Sequence, residues 1–125
     1  MNQNSPTGPI MVEELRLNRA EARLDVTFSD GVQRSLAAEY LRVESPSAEV
    51  QGHGPQQKTI VPGKLNVGIA KLESVGNYAV RLVFDDGHDT GIYSWVYLRE
   101  LGDEYGARWK TYLGALKSRG LSREP

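Results

Sequence analysis

The sequence predicts one small α+β domain: an antiparallel sheet built from two Asp-Gly hairpin units with short helices, plus a C-terminal helix. Three observations carry this. Apolar residues alternate at Leu24, Val26, Phe28 and again at Val80, Leu82, Phe84, the period of a strand with one buried face. Each run leads to an Asp-Gly pair, Asp30-Gly31 and Asp86-Gly87, a dipeptide that tight hairpins favour because glycine takes positive φ at little steric cost. Near the C-terminus, Tyr105, Trp109, Tyr112, Leu113 and Leu116 recur at spacings of three and four along one helical stripe.

The elements follow in order. Residues 1–11 are polar and rich in Asn, Ser, Pro and Gly, and read as a disordered tail. From Val12, Leu15 and Leu17 alternate with charged neighbours, residues 18–22 turn the chain, and Leu24 to Phe28 returns as the second arm of a hairpin. Val32 to Leu36 reads as a third strand, and Ser35 as the cap of a short helix over Ala37 to Leu41. Ser45 to Pro62 holds three prolines and the triplet Gly52-His53-Gly54 with little periodicity, and reads as a long loop of the kind that often carries function. Strands resume over Val67 to Val75 and Tyr78 to Phe84, and His88 to Ile92 reads as a further strand. Ser94 caps a helix to about Leu101, Gly102 interrupts it, and a second helix fills residues 103–120 with Gly120 at its C-terminal end. Residues 121–125 read as a frayed end. The main domain is thus residues 12–102, with the helix of 103–120 appended.

Bulk properties exclude several functions. With 125 residues the chain suits one domain that buries a core without staples. The formal net charge of −1 leaves no basic excess to hold a nucleic-acid backbone. The chain contains no cysteine, which removes disulfides, thiolate chemistry and cysteine-ligated zinc or iron–sulfur clusters. No apolar run reaches the roughly 18 residues of a membrane span, and the polar N-terminus lacks the apolar core of a signal peptide. A cytoplasmic location is the resulting expectation, with no membrane partner.

Two stretches read alike. Phe-x-Asp-Gly occurs at Phe28 to Gly31 and at Phe84 to Gly87, and Leu-Arg at Leu41-Arg42 and at Leu98-Arg99. Each unit is strand, Asp-Gly turn, strand and short helix. Hairpins that converge on one turn dipeptide, or an ancient duplication, would both produce this pattern.

The string Leu41-Arg42-Val43-Glu44-Ser45-Pro46-Ser47-Ala48-Glu49-Val50-Gln51-Gly52-His53-Gly54, followed by Asp85-Asp86-Gly87-His88-Asp89-Thr90-Gly91-Ile92-Tyr93-Ser94-Trp95 and Tyr97-Leu98, is distinctive. Over Glu13 to Gly102 the chain resembles the small bacterial proteins of the gamma-butyrobetaine hydroxylase-like N-terminal domain family. In the hydroxylase this domain precedes an iron- and 2-oxoglutarate-dependent oxygenase domain, for which this chain leaves no room. The resemblance also implies a zinc site of three cysteines and one histidine. Its cysteine positions fall here on Ser45, Ser47 and Val50 and its histidine on His88, so the expectation is that the zinc site is lost and no cofactor is held. The same resemblance places Ser45, Ser47 and His88 near each other. Similar domains occur fused to Mrp-type ATPases that carry iron–sulfur clusters, which implies a link to metal-cofactor maturation through an iron–sulfur carrier ATPase or an oxygenase as protein partner.

The candidate residues carry alternative readings. His88 reads as a metal ligand or general base, or as a turn histidine bonded to a nearby carboxylate or carbonyl. His53, flanked by glycines, reads as a partner contact or as part of a flexible loop. His53, His88 and Asp89 together make the alternative metal site, of the two-histidine, one-carboxylate type. Arg42 and Arg99 close the two units and read as anchors for a partner's carboxylate or as caps on their own helices. Tyr93, Trp95 and Tyr97 read as a recognition surface, with at least one of them in the core. No nucleophile, positioned base or phosphate loop is visible. The leading expectation is therefore a non-catalytic binding module, not an enzyme. Its partner surface would be Ser45, Ser47, His53, His88, Ser94 and Trp95 with Arg42 and Arg99. The C-terminal helix is a further site for association between copies.

Overall fold

The computed structural model describes residues 10–125. Two antiparallel three-stranded sheets share one core. The first is β1 (Val12–Asn18), β2 (Arg23–Phe28) and β3 (Gln33–Ala37), in that order, followed by α1 (Ala38–Val43). The second is β4 (Ile69–Val75), β5 (Ala79–Phe84) and β6 (Ile92–Ser94), followed by α3 (Trp95–Asp103). Between them lie the short α2 (Ala48–Gln51) and a 3₁₀ turn, Pro55–Gln57, and the chain ends on α4 (Tyr105–Ser118). The fold is α+β, as the alternation and the turn dipeptides predict.

The predicted register holds. Leu24, Val26, Phe28, Val80, Leu82 and Phe84 all lie in one buried cluster with Leu41, Tyr93, Leu98 and Leu101. On each central strand every second side chain enters this cluster, which is the periodicity of a pleated sheet with one dry face. Gly31 and Gly87 sit at φ +87 and φ +95, in the region only glycine enters cheaply, and each turn is closed by the same bonds. Gly31 N donates to Phe28 O and Phe28 N to Val32 O; Gly87 N donates to Phe84 O and Phe84 N to His88 O.

The two units match beyond the hairpin. Each first strand carries a bulge at its start, between Val12 and Glu14 and between Ile69 and Lys71. Each helix then reaches across to the opposite unit. Tyr40 Oη donates to Leu101 O at 2.7 Å, and Tyr97 Oη to Glu44 O at 2.5 Å. Arg42 Nε donates to Asp86 at 2.8 Å, and Arg99 Nη2 to Asp30 at 3.0 Å. Such exchange of equivalent contacts is what an internal two-fold relation produces. The recurrence in sequence is therefore a recurrence of paired contacts as well as of turns.

Several elements differ from the sequence reading. Ser35 does not cap a helix: it stays in β3, where its hydroxyl donates to Asp25 at 2.7 Å, and α1 starts at Ala38. The stretch from Ser45 is not a bare loop, because Ser47 adopts an extended N-cap conformation and starts α2. The last strand is shorter and later than His88 to Ile92, since His88 belongs to the turn. Gly102 does not break α3: the helix runs through it to Asp103, and the break falls at Glu104. Glycine is required there for space, as an added Cβ would meet the Arg34 side chain at 2.6 Å.

The C-terminal region also departs from expectation. The α4 stripe packs on α1 and on residues 60–61: Tyr112 and Leu116 are buried with Val43, against Ile60, Val61 and Trp109. Tyr105 and Leu113 of the same stripe are 46% and 39% exposed. Gly120, at φ +66, ends α4 in a Schellman arrangement, with its amide on Lys117 O and the Leu121 amide on Leu116 O. Residues 121–125 are not frayed. Gly63 N donates to Ser122 O and Leu65 N to Arg123 O, while Arg123 forms a two-pronged pair with Glu39 at 2.7 and 2.8 Å. At the other end, residues 1–9 of the expected tail lie outside the described residues. Ile10 packs on the core and Met11 bonds Ser29 in both directions, so the fold begins before residue 12.

Candidate functional site

The end of α1, the start of α2 and the second Asp-Gly turn converge on one polar cluster. Ser45 Oγ lies 2.9 Å from His88 Nε2, Ser47 Oγ 3.4 Å from the same nitrogen, and the two hydroxyls are 3.2 Å apart. All three residues are buried. The Ser47 amide donates to Ser45 Oγ, and the Ser45 hydroxyl lies within hydrogen-bond reach of both Ser47 Oγ and His88 Nε2. Gly91 permits the close approach: an added Cβ there would lie 2.6 Å from Ser45 Oγ. The proximity implied by the resemblance is thus present.

Asp86 anchors the turn beneath this cluster. Its carboxylate takes Arg42 at 2.8 Å, Lys64 at 2.7 Å and the His88 amide at 3.0 Å. Burial alone would favour its neutral form, but the bonds from Lys64, the His88 amide and Arg42 overcome this and hold its pKa down at about 2. His88 is pushed the other way. Burial, then the Arg42 cation, lower its pKa from 6.5 against the opposing pull of Glu49, Asp86 and Asp89. The imidazole is consequently neutral at pH 7.

This asymmetry has a measurable consequence. The unfolded chain takes up the His88 proton near 6.5, while the folded chain does so only at lower pH. Stability from this group is therefore full above 6.5 and is lost as pH falls through the folded value. Asp86 stays ionised throughout that range. Urea midpoints measured from about pH 8 to about pH 5 should fall for the native protein and stay flatter for His88→Gln. Parallel curves would show that His88 is not held neutral by the fold.

The donor set does not fit zinc. Two hydroxyls and the apolar Val50 stand at the three thiolate positions, and the remaining ligand, the His88 imidazole, is already engaged by the hydroxyls. The alternative site of His53, His88 and Asp89 is not assembled either. His53 is exposed, with its amide on Gln57, and Asp89 is exposed, while His88 is buried. Among the described residues no three His, Cys, Asp or Glu side chains group as metal ligands.

The remaining predicted residues serve the fold. Ser94 Oγ accepts the Tyr97 amide at 3.0 Å and caps α3 as expected. Trp95 Nε1 donates to Asn77 O at 2.8 Å. Arg42 and Arg99 neither cap their own helices nor face outward; each is bound to the aspartate of the opposite turn. Tyr93 is fully buried and its hydroxyl donates to Leu41 O. Ser45, Ser47 and His88 are buried and bonded to one another, and Arg42 and Arg99 are half-buried and paired with Asp86 and Asp30. His53 is exposed, and Ser94 and Trp95 are half-buried.

Trp95, an expected surface residue, joins residues without any sequence signal at a different surface. Ile10, Met11, Tyr78, Trp95 and Val96 line an apolar groove of about 330 Å³ next to Ser94. Tyr78 and Val96 are 57% and 56% exposed, more than any other large hydrophobic residue described. Tyr78 only follows a turn and Val96 only follows Trp95, so no alternation marks them.

Comparison with known proteins agrees with this architecture. The family model described as gamma-butyrobetaine hydroxylase-like, N-terminal, matches residues 15–99. Two proteins solved in solution by NMR are similar at 44% and 47% identity, each with a TM-score of 0.82. The alignments cover 94% and 97% of this chain, and 93% and 91% of those chains. A protein of unknown function from Acidithiobacillus ferrooxidans, of the DUF971 family, is 39% identical with a TM-score of 0.63, over 74% of this chain and 92% of that one. No curated protein matches.

Proposed function

This chain belongs to the gamma-butyrobetaine hydroxylase-like N-terminal domain family, and from that premise we propose that it is a non-catalytic accessory module that works through a protein partner in metal-cofactor maturation. The observation that carries the reading is the exposed apolar groove at Tyr78, Trp95 and Val96, while Ser45, Ser47 and His88 bond one another elsewhere in the fold. Aromatic and aliphatic side chains left in water at a rigid helix start suit a protein contact. A buried imidazole bonded to two hydroxyls does not suit turnover. The partner classes implied by the family resemblance are an iron–sulfur carrier ATPase and an oxygenase, and the module itself holds no zinc.

The test uses the full chain, immobilised, with a purified Mrp-type ATPase and a 2-oxoglutarate-dependent oxygenase as separate analytes. Tyr78→Ser combined with Val96→Asp alters only exposed positions, so melting should change little. Retention of one analyte, reduced about tenfold or more by the double variant, and sub-stoichiometric zinc by elemental analysis are expected. No retention of either analyte, equal retention by the variant, or one zinc per chain overturns the proposal.

A further inference from the structure

A second opening lies between the end of α1, residues 56–60 and α4. It holds about 430 Å³, within the range of small-molecule sites. Its wall is apolar, made by Val43, Ile60 and the ring of Tyr112. The Tyr112 hydroxyl is already committed to Val61 O at 2.6 Å, so it offers the cavity its ring and not its proton. Thr59 and Thr111 add hydroxyls to the lining.

The charges around this cavity do not cancel. Glu44 is the single acid in its lining, 3% exposed, and it is bound by both Lys58 at 2.7 Å and Arg108 at 3.0 Å. Lys58 and Arg108 are balanced by Glu44 and by Glu104, which Arg108 meets at 2.8 Å, so the excess positive charge at the cavity comes from Arg119. Arg119 adds a further guanidinium at the rim, exposed and in no ion pair among the described residues. A cavity with an apolar wall, neutral hydroxyls and a surplus of donors selects a ligand with one anionic end and one apolar end.

We propose that this cavity is a binding site for a small amphipathic organic anion, a carboxylate with a short apolar tail. The carboxylate meets Arg119 and the threonine hydroxyls, and the tail lies along Val43, Ile60 and Tyr112. The site shares no residue with the groove at Tyr78 and Val96, and it stands whether or not that groove binds a protein.

The probes are hexanoate and 1-hexanol, which share a tail and differ in charge, titrated into the ¹⁵N-labelled full chain. Hexanoate should shift the amides of Thr59, Thr111 and Arg119 saturably, and hexanol should bind the same amides about fivefold more weakly or worse. Arg119→Gln should lower hexanoate affinity by a similar factor and leave hexanol binding and the melting temperature unchanged. The Tyr78→Ser, Val96→Asp variant should bind hexanoate like the native chain, which separates failure of this site from failure of the partner surface. Equal binding of the two probes, shifts confined to other regions, no saturable shift, or an indifferent Arg119→Gln each overturns the assignment.

Discussion

Replacing Phe84 by alanine is expected to lower stability by about 3–5 kcal/mol, and replacing Phe28 to cost nearly the same. Both rings are buried in the shared core, 2% and 0% exposed. Each stands at the end of a central strand, where its backbone closes an Asp-Gly turn. Their surroundings also correspond: Arg99 lies over the Phe28 ring at 5.1 Å, and His88 lies 6.0 Å from that of Phe84. The loss is a large part of the roughly 5–15 kcal/mol that holds a domain of this kind together. Urea unfolding of both single variants provides the check. Values differing by more than about 2 kcal/mol would mean that the two halves do not share the load.

The second large effect is expected at the C-terminus. Arg123→Ala should cost about 2–4 kcal/mol, because it leaves the Glu39 carboxylate buried without its partner. Glu39 is 8% exposed at its side chain and receives both Nε and Nη2 of Arg123. The guanidinium also lies 5.3 Å from the Trp109 ring, so packing is lost with the charge. Its own side chain is 39% exposed, which lets water reach the pair and keeps the loss at the lower end of what buried pairs show. Arg119→Ala, only four residues away but unpaired, should change stability by less than about 0.5 kcal/mol. Thermal melting of the two variants side by side decides the matter. Similar values for both would return the last five residues to a frayed end.

What could be read from the sequence was local and periodic. The strands at Leu24 to Phe28 and Val80 to Phe84 were legible because the period-2 pattern and the glycine turns depend on neighbours alone. The Ser94 cap was legible for the same reason. Ser35 misled, because the hydroxyl that would cap a helix found Asp25 across the strand pair instead. The docking of residues 121–125 was invisible: Arg123 and Glu39 lie far apart in the chain, and nothing near either one marks the pairing. The site was partly legible. The family resemblance brought Ser45, Ser47 and His88 together, yet it could not show that Arg42 and Arg99 are consumed by Asp86 and Asp30. The groove at Tyr78 and Val96 left no trace, since exposure of an apolar residue is set by what fails to cover it.

The exchanged ties between the halves bear on how the chain unfolds. Tyr40 and Arg42 reach partners in the second half, and Tyr97 and Arg99 reach partners in the first. A half that detached would strand a phenol, a guanidinium and an aspartate together, and open the common apolar interior to water. Partial opening is thus penalised almost as heavily as complete loss of structure, and the landscape between native and denatured chain holds no populated way-station. Two hairpins that look like independent modules on paper melt as one.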